Sequence, residues 1–121
     1  MRDFRKIIAW QLADDLAVEV YDATRSFPRE EVYGLTSQLR RAACSVPANI
    51  AEGASRSSRK DYLHFLYIAR GSCSETQYFI HLSRRLGYLD DQAHDALKDL
   101  SDNTGRTLTG LIKSVEKEAT P

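Results

Sequence analysis

Residues 32–54 read VYGLTSQLRRAACSVPANIAEGA, and their spacing decides the fold class. Leu35, Leu39, Ala42, Val46 and Ile50 fall three or four residues apart, the repeat that gathers side chains on one face of an α-helix. Pro47 lies inside the pattern. It has no N–H to offer the carbonyl of Ala43 and crowds it, so a bend is expected there. Gly53 and the turn Ser55-Arg56-Ser57-Ser58 end the segment.

Working outward, the same periodicity recurs on both sides. From Ile7 to Phe27, the residues Ala9, Leu12, Leu16, Val20, Ala23 and Phe27 form one apolar stripe, with Trp10, Ala17 and Tyr21 as a second beside it. Pro28 stops this helix, because a proline disfavours the α conformation in the residue before it. Ser58-Arg59-Lys60-Asp61 opens a third helix with a capping pattern. The expected stripe of that helix is Phe65, Ile68, Ser72, Glu75, Phe79, Leu82 and Leu86, and Gly87 breaks it. Asp90 is a good N-cap for a fourth helix carrying Ala93, Leu97, Leu100, Thr104, Leu108, Leu111 and Val115. Gly105 and Gly110 weaken that helix. No segment sustains strand-like alternation between hairpin turns. Four amphipathic helices with short connections predict an all-α, antiparallel up-down-up-down four-helix bundle, one domain over residues 1–121.

Composition narrows the function classes. Lysine and arginine total 17, as do aspartate and glutamate, so the net charge is zero. A generic nucleic-acid or membrane-surface binder usually carries a basic excess. The balance conceals asymmetry, however. Residues 31–60 hold five basic and two acidic side chains, and residues 90–121 hold four basic and seven acidic. No apolar run reaches the length of a bilayer span, and the start MRDFRKIIAWQLADD lacks the apolar stretch of a secretory leader. A cytoplasmic protein is expected, with Cys44 and Cys73 reduced and behaving as small hydrophobes.

No catalytic site, metal site or cofactor site is recognisable. Ser57-x-x-Lys60 with Ser101-Asp102-Asn103 imitates two motifs of serine β-lactamases, but the third, Lys-Thr-Gly, is missing. Asp91-x-x-His94 matches half of a di-iron ligand pair once only. His64 and His81 lack ligand-like neighbours. Two features remain. Gln38, Arg41, Ser45, Asn49 and Glu52 form a polar ladder beside the core stripe of the second helix. It is either a solvated face or a hydrogen-bonded network at a helix or subunit contact. Glu75 falls on the expected stripe of the third helix, where a buried carboxylate requires a partner. Arg41, or else Arg40, is expected to pair with it, since the planar guanidinium holds a carboxylate in two directions. An enzyme with a polar site around Glu75 and Arg41 is the alternative to a non-enzymatic binding protein.

The spans Phe27-Pro28-x-Glu30-Glu31-x-Tyr33-Gly34-Leu35-x-x-Gln38-x-Arg40-Arg41-Ala42-Ala43, Ser45-Val46-Pro47-x-Asn49-Ile50-Ala51-Glu52-Gly53 and Phe65-Leu66-x-Ile68-Ala69-x-Gly71-Ser72-x-x-Glu75 carry a resemblance. They resemble the four-helix bundle proteins encoded in intervening sequences of 23S ribosomal RNA genes. The resemblance implies a small cytosolic bacterial bundle that assembles into a cyclic homo-oligomer, typically a pentamer. Accessory proteins of diversity-generating retroelements are more distantly similar and bind nucleic acid through strongly basic rings. The zero net charge of this chain departs from them.

Assembly is also expected from the residues themselves, because the second stripe of the first helix leaves Trp10 and Tyr21 over as an oligomer contact. Arg56, Arg59 and Lys60 in the turn between helices two and three are expected to form a basic collar. Repeated around a ring, the collar would meet a nucleic acid or an acidic protein partner.

Overall fold

Local chemistry sets where each helix begins and ends in the computed structural model, which describes residues 2–118. The outermost positions of the expected 1–121 domain, residues 1 and 119–121, lie outside the described residues. Helix α1 spans Ile8–Thr24, α2 Leu35–Ala54, α3 Arg59–Arg85 and α4 Asp91–Glu116. A 3-10 turn at Phe4–Lys6 precedes α1, and another at Arg29–Glu31 lies between α1 and α2. Among the described residues there is no strand.

The caps follow the sequence. The Ser58 hydroxyl accepts from the backbone N–H of Asp61 at 3.1 Å, and Asp90 Oδ1 accepts from the N–H of Ala93 at 2.8 Å. Each satisfies one of the donors that a helix start leaves unpaired. Gly87 adopts φ +80, the left-handed conformation that closes the α3–α4 turn and that side-chain-bearing residues avoid. The start of α2 is built differently. Glu31 reaches forward from the preceding 3-10 turn, and its Oε1 accepts from the N–H of Leu35 at 3.1 Å. Helix α2 then runs unbroken through the buried Pro47.

The four helices pack in chain order, each against the next and α4 against α1. Contacts along each pair run in opposite directions. Ala9 and Ala13 of α1 share a cluster with Val46, Ile50 and Ala54 of late α2, whereas Leu16 and Val20 meet Leu35, Leu39 and Ala43 of early α2. Likewise Leu66 and Ala69 of α3 join Leu108 and Ile112 of α4, and Ile80 joins Leu97. The up-down-up-down arrangement follows. The apolar core is thus two clusters, one toward each end. At mid-height lie the fully buried hydroxyls of Thr76, Ser101 and Thr104. Thr76 donates to Ser72 O at 2.8 Å and Thr104 to Leu100 O at 2.7 Å, so each burial is compensated within its own helix. Among the described residues no buried side-chain polar atom lacks a partner.

Helix α3 departs from its expected face. Its buried residues are Tyr62, Leu66, Ala69, Cys73, Thr76, Ile80 and Ser83. The expected stripe sits roughly 100° away around the helix. On it, Ile68 and Leu86 are 40% and 49% exposed, and Phe65, Phe79 and Leu82 are half-buried. Both stripes are largely apolar. The one that wins carries Thr76 and Ser83, whose hydroxyls bond back to backbone carbonyls four residues earlier and so become compatible with burial.

Candidate functional site

Rotation of α3 moves Glu75 out of the core. It is exposed, and so is Arg41. The expected buried ion pair is absent: among the described residues neither Arg41 nor Arg40 lies within ion-pair distance of Glu75. Yet Arg41 and Glu75 line one open groove of about 440 Å³ between α2 and α3, together with Gln38, Ser45, Ser72 and Phe79. Arg40 turns the other way. Its Nε donates to Thr24 Oγ1 at 2.8 Å, and its guanidinium lies 4.5 Å from the ring centroid of Tyr21.

The polar ladder is half a network and half a solvated face. Asn49 Nδ2 donates to the Ser45 carbonyl at 2.8 Å and to the Ser45 hydroxyl at 2.9 Å. The Ser72 hydroxyl of α3 joins that of Ser45 at 2.9 Å. Gln38 and Glu52 line its solvated part, and Glu52 pairs with Arg56 at 3.0 Å.

Two of the three expected collar residues are engaged within the chain. Arg56 lies over the Phe65 ring at 4.7 Å as well as pairing with Glu52. Arg59 donates to the carbonyls of Glu116 and Glu118 and so closes the C-terminal end of α4, a favourable place for a cation. Lys60 is exposed. The same end of the bundle gains cations that periodicity alone does not place there. Arg2 donates to the Arg56 carbonyl at 3.1 Å and sits 4.0 Å from the Tyr62 ring, while Arg5 and Lys6 are exposed.

Trp10 and Tyr21 are partly covered by their own chain. The Phe4 ring packs edge-on against Trp10 at 4.9 Å, and Arg40 lies over Tyr21. Ala17, between them, is buried.

Titration and ligation chemistry is sparse. Burial pushes the Cys73 thiol up to about 11, with Asp102 adding to the effect. Glu31 is held below the ordinary carboxylate range, first by the Leu35 N–H and then by the Tyr88 hydroxyl, which donates to it at 2.9 Å. The same bond raises Tyr88. Among the described residues no three His, Cys, Asp or Glu side chains converge as a metal site would require. Ser57 is exposed in a turn while Ser101 is buried at mid-bundle. Among the described residues no helix is long and apolar enough to cross a membrane.

One surface is not evident from the sequence. Helix α3 carries five basic residues and two acidic ones; of the acids, Asp61 sits in the first turn and Glu75 lines the α2–α3 groove. The charge windows 31–60 and 90–121 leave all of this helix beyond Lys60 between them and so miss the excess.

The sequence profile of the 23S rRNA-intervening sequence protein family matches residues 5–110. No protein of curated function matches significantly. A crystal structure from Bacteroides thetaiotaomicron, of a protein with unknown function from the S23 ribosomal protein family, superposes with a TM-score of 0.81. It shares 23% identity, and the match covers 88% of this chain and 99% of that one. At that identity the likeness speaks for the fold.

Proposed function

Since the chain belongs to the 23S rRNA-intervening sequence protein family, we propose that it is a non-enzymatic scaffold of the cytosol that works as a cyclic homo-oligomer, a pentamer, and binds an RNA or protein partner. The observation that carries the assembly is the α2–α3 face. Arg41 and Glu75 line one groove, neither has an ion-pair partner among the described residues, and exposed Ile68 and Leu86 flank them. In a head-to-tail ring each subunit offers this face to a different patch of its neighbour. Opposite charges left over within one chain can then be matched between chains. The exposed position of Glu75 speaks for contact rather than acid–base catalysis, which draws on carboxylates perturbed by burial.

Light scattering coupled to gel filtration tests the assembly. A mass near five times 13.7 kDa is expected, and 13.7 kDa itself refutes the ring. Arg41→Glu or Glu75→Arg alone should shift the protein toward smaller species. Both residues lie on the same face, so in a head-to-tail ring each meets a different group of the neighbour and the double exchange does not restore the ring.

A further inference from the structure

Lys60, Tyr67, Arg70, Ser74, Tyr78, His81 and Arg85 follow one another along α3 at steps of three, four and seven. They therefore share one face, and it points outward. Tyr67 is 41% and Tyr78 56% exposed, and Lys60, Arg70, Ser74, His81 and Arg85 are exposed as well. No acidic residue of α3 interrupts the row. Arg70 lies 5.4 Å from the Tyr67 ring centroid, and Tyr78 tilts against His81 at 6.4 Å. The face thus alternates flat rings and cations over about 37 Å of helix. Exposed rings present a flat π-face that another flat group can cover.

Beside the row runs a groove of about 460 Å³ between α3 and α4. Arg70 enters it from α3 and Arg106 from α4, and the hydroxyl-bearing Ser74 and Thr109 line it too. Among the described residues neither arginine is in an ion pair. Asp102 also lines the groove, but Lys98 at 2.6 Å and Gln77 Nε2 at 3.1 Å already hold its carboxylate. Glu116 accepts the Tyr67 hydroxyl at the rim, leaving the ring itself on the surface. Gly105 keeps the floor low, where a methyl group would meet the Cys73 sulfur and the Gln77 amide at 3.7 Å.

Two guanidinium groups outside any ion pair, with hydroxyls in the same groove, suit a phosphate. Exposed rings spaced along the same face suit stacked bases. We propose that the outer face of α3, with Arg106 across the groove, binds single-stranded nucleic acid. Phosphates sit between Arg70 and Arg106, and bases stack on Tyr67 and Tyr78. The 11 steps from Tyr67 to Tyr78 span about 16 Å of helix, room for about five stacked bases. A duplex buries its base faces and does not fit. The proposal takes up the binding role proposed above and relocates it from the collar to α3. It stands whether or not the chain forms a ring.

The test is fluorescence anisotropy of the full chain with a labelled 20-nucleotide oligouridine, and with an RNA duplex of the same length, at low salt. Wild type should prefer the single strand. Tyr78→Ser should weaken binding at least about fivefold, the low end for loss of one stacked base, and Tyr78→Trp should retain it. Arg70→Gln with Arg106→Gln should weaken binding and flatten its salt dependence by about 1.4 in log–log slope, because two fewer phosphates are neutralised. Arg56→Ser, which leaves the α3 row intact, serves as the collar control, and light scattering on every variant reports assembly separately. The proposal is overturned if wild type binds neither RNA or prefers the duplex. It is overturned equally if the collar variant alone loses binding, or if the Tyr78 and arginine variants change the mass of the assembly instead of the affinity. A wild-type ring that ignores RNA removes this inference and leaves the scaffold reading standing.

Discussion

Replacing Gly53 with alanine sets two effects of known size against each other. Alanine is worth about 1 kcal/mol more than glycine inside a helix, because glycine gives up more backbone freedom on folding. At Gly53 the structure opposes that gain. A methyl group there would stand 2.9 Å from Phe65 Cβ, 3.0 Å from Tyr62 Cδ1 and 3.2 Å from the Tyr62 carbonyl. Carbon atoms in good contact are about 3.5–4.0 Å apart. Phe65 Cβ and the Tyr62 carbonyl are fixed to the α3 backbone, so α3 must retreat by about half an ångström or more. Tyr62 is 2% exposed and shares its cluster with fully buried Ile50 and Ala54, so the retreat loosens packing throughout that end. Overpacking of this kind costs about 1–3 kcal/mol. The expected balance for Gly53→Ala is a destabilisation of up to about 2 kcal/mol. Gly110→Ala is the control: a methyl group there meets nothing within 4 Å, and the substitution should stabilise by about 0.5–1 kcal/mol. Urea unfolding followed by helical circular dichroism at one protein concentration reads both, as midpoint shifts of opposite sign at an unchanged slope. A Gly53→Ala midpoint at or above wild type refutes the close approach of α2 and α3.

Two further outcomes follow from the titrating groups. Glu31 has a lowered folded pKa because the Leu35 N–H and the Tyr88 hydroxyl favour its charged form. Its contribution is therefore complete above the unfolded value, about 4.3, and is lost as pH falls through the folded one. Glu31→Gln should unfold at lower urea than wild type at pH 7, with the gap narrowing toward about pH 3; a gap that widens on acidification contradicts the cap. Cys73 is 1% exposed with its thiol pushed up to about 11, so about one molecule in ten thousand carries the thiolate at pH 7. A thiol reagent should titrate at most one cysteine, Cys44, in the folded protein and both in urea; two fast-reacting thiols in the native state would contradict the burial.

The fold was legible because α2 offers only one reading. Its apolar residues make a single stripe, and Leu35, Leu39, Ala42, Val46 and Ile50 are all buried as expected. Helix α3 offers two stripes, and weighing apolar residues favours the wrong one, since Thr76 and Ser83 score as polar. Their bonds to carbonyls one turn back are what admit them to the core, and Glu75 left the interior with the discarded stripe. The partners of the collar residues were hidden for another reason. Arg56 and Arg59 are quieted by Phe65 and by the far end of α4, and such partners are set by tertiary packing rather than by neighbours in the chain. In the sequence Glu31 is one charge among many. Its role as a cap reaching out of a 3-10 turn depends on a backbone path that periodicity does not encode.

The hydroxyls at mid-bundle have a mechanical consequence. At that height α3 is stitched on both flanks, to α2 through Ser72 and Ser45, and to α4 through Cys73 and Gln77 onto the Ser101 carbonyl. Between Ala9 and Val20, α1 has no side-chain hydrogen bond to α2, α3 or α4 among the described residues, only apolar contact with its neighbours. Apolar contact is non-directional and tolerates small rotations that a hydrogen bond penalises. Helix α3 is then the keel of the molecule and α1 its loosest stave. Small torsions of the bundle are expected to fall on the stretch of α1 from Ala9 to Val20, short of the Arg40–Thr24 bond that pins its end.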